Sequence, residues 1–281
     1  PERMSDVAEA QGILRRAGGR PDRDVDLAET ALALGALDVP DARLNRYRHH
    51  LSLLTRDVAE ASEAAGTDDL AARARALAEV LVERYGYQGD RETYNDLQNA
   101  NLLRVIDRRR GLPVALAILF IHAGRAQGWQ IDGLNFPGHF LISMSLGQER
   151  AVLDPFDGLR PLGAHDLRQL LKAIEGADAE LSTEHYAPLG NRAMLLRLQN
   201  NRKVRLLHDE HRDLAVQTLE AMLMIAPAEP SLWHEAGLLH AHLGNLRAAV
   251  LALEQVMQLS QDPNSQRDVA HLLKQLRGRI N

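Results

Sequence analysis

Apolar positions recur with a helical period through the first third of the chain. From Asp26 to Leu37 they fall at steps of three and four, which predicts an amphipathic helix, and Val39-Pro40-Asp41 interrupts it. A second helix is expected over Asp41–Ala65, with Leu44, Tyr47, Leu51 and Leu54 on one face. Gly66-Thr67-Asp68 then supplies a break and a cap. A third helix follows over Asp68–Tyr85, carried by Leu70, Leu77, Val80 and Leu81. Gly86 and the loop Gln88-Gly89-Asp90 end it. These helices read as scaffold.

The middle of the chain changes character. A short helix is expected over Asn99–Arg109, and the run Arg108-Arg109-Arg110 leads into Gly111-Leu112-Pro113. Proline suits the first turn of a helix because its missing N–H would have no partner there, so Pro113 opens a helix that runs to about Gly128. Ala115, Leu116, Leu119, Phe120 and Ala123 make that helix apolar on most sides, as a central buried helix is. Two strand-like runs follow, His139–Ser145 and Gln148–Asp154, parted around Leu146-Gly147. Phe140, Ile142 and Met144 share one face of the first strand. A hairpin folded about the Leu146–Gly147 midpoint sets His139 directly opposite Asp154. A shift of two residues makes them diagonal neighbours on the same face.

The last third is helical again and internally repeated. Leu196–Glu229 and Pro230–Pro263 align at a spacing of 34, so that Ala215 falls on Ala249, Leu219 on Leu253, Glu220 on Glu254 and Glu210 on Gly244. That period, with small residues where paired helices cross, is the tetratricopeptide signature. Trp233, Gly237, Gly244, Ala249 and Leu253 make the second copy the better one, and Lys203 stands in the first where a small residue is usual. Two copies are fewer than a free-standing array needs, so packing on the middle domain or on a partner is expected.

Composition narrows the chemistry. The 281 residues fit one large or two modest domains, and a 45% hydrophobic, 25% charged content excludes wholesale disorder. There is no cysteine, which excludes disulfides, thiolate metal sites and a cysteine nucleophile. A net charge of −5 provides no global basic field for nucleic acid. Pro1–Arg20 lacks the apolar run of a signal peptide, and Val114–Ile121 is far short of the ~20 residues a membrane span needs. The expectation is a soluble, cytoplasmic protein that binds neither nucleic acid nor membrane. Gly-rich phosphate loops are absent. The pairs His208/His211 and His240/His242 have no third ligand at helical spacing, so neither metal nor cofactor is expected.

A helix start, a strand histidine and an aspartate on the next strand form the layout of a Cys-His-Asp acyl-transfer site. Here Arg108–Pro113, Pro137-Gly138-His139-Phe140-Leu141 and Leu153-Asp154-Pro155-Phe156-Asp157-Gly158 resemble the transglutaminase-like superfamily. With Tyr85-Gly86-Tyr87, the Asn99 region and the Leu195–Asn201 run, the chain more closely resembles the bacterial SirB family, transglutaminase-like proteins with a C-terminal tetratricopeptide segment. The resemblance implies that His139 and Asp154 match the base and its orienting acid, and that the nucleophile's position holds Pro113. Ser143 and Ser145 lie on the histidine's own strand and are poor substitutes.

The expected fold is therefore α+β and mainly helical. A transglutaminase-like domain spans 1–190, with a helical part at 1–88 and a core at 89–190, and a tetratricopeptide segment spans 191–281. The expected function is a non-catalytic module that binds a protein or peptide. Asn99, Arg109, Arg110 and Pro113 are candidate binding residues and the repeats a second contact surface. The alternatives are a hydrolase or acyl transferase in which His139 and Asp154 activate water or a substrate hydroxyl, and an adaptor acting only through the Glu220/Glu254 face.

Overall fold

A computed structural model describes residues 6–39 and 41–280; the expected break at Pro40 and the ends of the chain lie outside the described residues. Capping residues set most of the early helices. The first, α1 (Asp6–Gly18), was not among the predicted helices; it buries Ala10, Ile13, Leu14 and Ala17 at helical steps. Asp26 accepts the Glu29 N–H at 3.0 Å and starts α2 (Leu27–Ala36). The next helix, α3 (Leu44–Ala65), stops at Gly66, whose φ of +69° is the left-handed C-terminal conformation that glycine adopts at no steric cost. Asp69, one residue beyond the expected cap, accepts the Ala72 N–H at 2.7 Å and starts α4 (Leu70–Leu77). A π-helical stretch, Ala78–Arg84, continues it.

The expected helix at Asn99 begins later. Residues Leu97–Ala100 form a 3-10 turn, and Asn101 caps α5 (Leu102–Arg108) by accepting the Leu103 N–H at 3.0 Å. Two short parallel strands, β1 (Gln88–Gly89) and β2 (Arg110–Gly111), lead into α6 (Pro113–Arg125) with Pro113 at its start. Ten of the thirteen residues of α6 are buried.

A five-stranded antiparallel sheet follows, made of β3 (Gln130–Phe136), β4 (His139–Leu146), β5 (Glu149–Asp154), β6 (Arg160–Leu162) and β7 (Pro188–Leu189), in the order β6-β5-β4-β3-β7. The strand β3 carries no sequence signal, because Asp132, Gly133 and Asn135 interrupt its alternation. Its Gly133 is required by packing: a β-carbon there would lie 2.7 Å from Met194 Sδ and 2.8 Å from Phe140 Cζ. Pro137-Gly138 joins β3 to β4, with φ +67° at the glycine as a type II turn demands. The helix α7 (Ala164–Glu175) lays Leu167 and Leu171 on the face formed by Leu134, Phe136, Leu141 and Val152. On the other face α6 packs against β3 and β4, with Gly124 against Ile131.

The helical repeats comprise α8 (Asn191–His208), α9 (Arg212–Ile225), α10 (Pro230–His242), α11 (Leu246–Leu259) and α12 (Pro263–Ile280). The bounds of α9 and α11 are offset by 34 residues, the period read from the sequence. Lys203, aligned with Gly237, is buried and directs its ammonium to Glu235 Oε2 at 2.5 Å. Gly237 itself is pressed on Leu253, 2.6 Å from where a β-carbon would stand. Contacts divide the chain into two units: Pro21–Leu198 with the start of α1, and Gln199–Asn281 with Leu14–Arg20. The division falls inside α8. Among the described residues no helix is long and apolar enough to cross a membrane.

Glu210 and Gly244 occupy equivalent turns, and both are left-handed, with φ of +62° and +78°. A left-handed L-residue costs roughly 1–2 kcal/mol, partly offset for glycine by its freer unfolded chain. Glu210→Gly is therefore expected to raise stability by about 0.5–1 kcal/mol and the melting temperature by about 1–3 °C. A calorimetric scan showing an unchanged or lower midpoint contradicts it.

Candidate functional site

His139 and Asp154 are brought close by the β4–β5 hairpin but are not direct partners. The register pairs Ile142 with Leu153 and Leu146 with Glu149, so the turn is Gly147-Gln148, not Leu146-Gly147. Glycine at the first turn position, with φ +59°, is what a two-residue hairpin of type II′ requires. The shift of two residues leaves His139 diagonal to Asp154 on one face. That face carries Leu141 and Val152 and is covered by α7; the Phe140, Ile142 and Met144 face meets α6, the helix that Pro113 opens.

The polar atoms of the pair are not joined. Asp154 Oδ1 accepts the N–H groups of Phe156 at 2.9 Å and Asp157 at 3.2 Å, closing the turn that follows β5. The half-buried His139 ring makes no hydrogen bond among the described residues. Phe156 in turn lies on Gly89, with Arg91 over its ring at 5.1 Å and Tyr94 edge-on at 5.8 Å. Gly89 pairs with Gly111, two residues before Pro113. This chain of contacts ties the Asp154 turn to the approach to α6. Ser143 is buried and stays on the histidine's strand.

The arginine run splits into three fates. Arg108 turns inward, donating to Asn99 Oδ1 at 3.0 Å and Asp90 Oδ2 at 3.2 Å. Asn99 was expected among the binding residues; it is instead fully buried, and its Nδ2 donates to the Thr93 carbonyl at 2.7 Å, so it positions Arg108. Arg109 takes a left-handed backbone, φ +61°, at the end of α5. Its guanidinium donates to His50 Nε2 at 2.7 Å and to the Tyr87 hydroxyl, and lies over the rings of Tyr87 at 4.8 Å and Tyr85 at 5.6 Å. Arg110 pairs with Glu92 at 2.9 Å in solvent.

Two groups here were missed in the sequence. Asp90 is 1% exposed and accepts the N–H groups of Glu92 and Thr93 and the Thr93 hydroxyl. Its signal was an aspartate three residues before a threonine in a loop. Burial opposes the charge of its carboxylate, but the donors from Thr93, Asn99 and Arg108 outweigh burial and hold it well below the usual range. His50 left no sequence signal, since its partners lie 37 and 59 residues away. Burial, and then the Arg109 charge, lower its pKa to about 4. Because Arg109 can only donate, His50 Nε2 accepts and the ring is neutral.

That shift has a defined consequence for stability. The unfolded chain takes up a proton near pH 6.5 and the folded chain only near pH 4, so stability falls as pH drops through that window. Wild-type protein is expected to lose about 2–3 kcal/mol between pH 7 and 4 that His50→Gln does not lose. Urea unfolding of both proteins at several pH values checks this; parallel profiles contradict it.

Among the described residues no group of three or more metal-binding side chains occurs. The fold is a transglutaminase-like domain followed by tetratricopeptide helices. The chain belongs to the transglutaminase-like superfamily, whose model matches residues 45–200, and a tetratricopeptide-repeat model matches 203–277. It is 29% identical over 245 residues to a UPF0162 protein of Xylella fastidiosa (strain Temecula1), covering 85% of each chain. It is 31% identical over 226 residues to a UPF0162 protein of Vibrio cholerae, covering 79% of this chain and 83% of the relative. A shorter stretch of 78 residues, 28% of this chain, is 35% identical to F-box only protein 21 of Homo sapiens and covers 12% of it.

Proposed function

We propose that this chain is a non-catalytic protein- or peptide-binding module, a transglutaminase-like frame without its nucleophile and with tetratricopeptide helices as a second contact surface. On this reading it falls in the SirB group of the superfamily. The observation that carries it is the state of the acyl-transfer layout. By the family resemblance Pro113 falls at the nucleophile's position, and the chain contains no cysteine. The acid that should orient the imidazole instead accepts two backbone N–H groups of its own turn. An imidazole without an orienting acid is a poor general base, and a peptide can still dock beside it.

The rival reading, in which His139 and Asp154 activate water, is separated by one assay. Hydrolysis of an activated ester by the wild-type chain is expected to match the rate of His139→Ala. A photocrosslinker placed near Pro113, at Arg110, is expected to trap a specific peptide or protein, and His139→Ala to weaken that capture. A hydrolysis rate that falls tenfold or more in His139→Ala, or a crosslinking survey with no specific product, overturns the proposal.

A further inference from the structure

The repeat unit contains a groove of about 820 Å³ made entirely from its own residues. Leu223 and Met224 of α9, Trp233 of α10, and Leu251 and Ala252 of α11 line it, and its wall is predominantly apolar. The last turn of α1 closes one side, where Gly18 meets the Met224 carbonyl so closely that no β-carbon fits. The lining residues stand at steps of three, four and seven on their helices, so the walls are ridges that run along helix axes. Leu251 is 64% exposed within it, an unusual position for a large apolar side chain.

Two charges flank the apolar strip. Arg15, on the α1 side, has no hydrogen bond or ion pair of its guanidinium among the described residues. Glu220, on α9, has His240 Nε2 at 3.7 Å as its one ion-pair neighbour among the described residues. A guanidinium without a partner and a carboxylate with only a distant imidazole beside one apolar groove define the complement: an apolar ridge flanked by one acid and one base. We propose that this groove receives an amphipathic helix of a partner protein, whose large apolar side chains at helical steps enter between α1, α9, α10 and α11, with an acid facing Arg15 and a base facing Glu220. A helix is the fitting occupant because ridges set at helical steps accept the ridge of another helix. The inference deepens the module reading and depends on it only for the repeats as a contact surface.

The test uses the full chain and designed helical peptides of about 16 residues. Both carry leucines at helical steps; one is flanked by a glutamate and a lysine, the other by two glutamates. Trp233 fluorescence and peptide anisotropy report binding. The mixed peptide is expected to bind wild type about two- to fivefold tighter than the all-acid peptide, and Glu220→Lys to reverse that order. Leu251→Asp is expected to weaken both at least tenfold, and its exposure keeps the fold intact, as far-UV circular dichroism verifies. His139→Ala is expected to leave both unchanged.

Peptides that do not bind, or whose binding ignores Leu251→Asp and Glu220→Lys, overturn the inference. Binding lost in His139→Ala alone also overturns it, while leaving the reading of His139 as part of a binding site intact. A dimer of the free chain that Leu251→Asp dissociates in sedimentation velocity gives the groove to a second copy, and likewise overturns it.

Discussion

Asp90→Ala is expected to lower the unfolding free energy by about 3–5 kcal/mol, measured by urea denaturation at pH 7. The carboxylate is 1% exposed and accepts from Glu92 N–H at 3.1 Å, Thr93 N–H at 2.8 Å, Thr93 Oγ1 at 2.6 Å and Arg108 Nη2 at 3.2 Å. Alanine removes the buried acceptor shared by the Arg108 guanidinium, two backbone N–H groups and the Thr93 hydroxyl. That is far costlier than losing a surface pair. Asp90→Asn retains an acceptor without the charge, so its loss is expected to be smaller. Because the donors hold the folded carboxyl below its ordinary range, the stabilisation is complete at neutral pH and fades as pH falls below about 4. Asp90→Asn should lose that part of the acid sensitivity. A loss below about 1 kcal/mol for Asp90→Ala shows that the cluster is not a buried charge network.

Phe120→Ala is expected to cost a similar 3–5 kcal/mol by the same measurement. Phe120 is fully buried near the middle of α6, the helix that packs on α3 and on β3 and β4. Truncation removes apolar burial and leaves a cavity that a close-packed interior refills only in part. Phe120→Leu keeps most of the volume and should lose less than half as much. Near-equal losses for the two variants contradict a tightly packed centre. The comparison bears on the site as well, since α6 holds Pro113 in its first turn and supports the sheet that carries His139 and Asp154.

Local chemistry explains which elements were legible. Asp26 as a cap, Gly66 as a stop and Pro113 at a helix start each act within a few residues, and α2, α3 and α6 follow them. The 34-residue period was equally visible, because each helix pair repeats the same small and apolar positions. By contrast, β3 was hidden although it is an interior strand of the sheet. Gly133 there is filled from outside by Phe140 and Met194, so no side chain of its own announces a strand. In α1 the apolar steps at Ala10, Ile13, Leu14 and Ala17 are present, but charged residues interleave them and weaken the pattern.

The amino-acid sequence by itself determined the absence of a thiol, the repeat period, the starts of α2 and α6, the end of α3 and the shared face of His139 and Asp154, since alternation along a strand survives a two-residue slip. Tertiary structure alone decided the rest. It turned Arg108 toward Asp90 and Asn99 while its neighbour Arg109 went to His50 and Tyr87. It gave the Asp154 carboxylate to its own turn, and it formed an apolar groove within the repeat unit, lined by the last turn of α1 and α9–α11. Each of these depends on partners distant in sequence or on a competition for one acceptor, and packing settles such choices only when the elements meet.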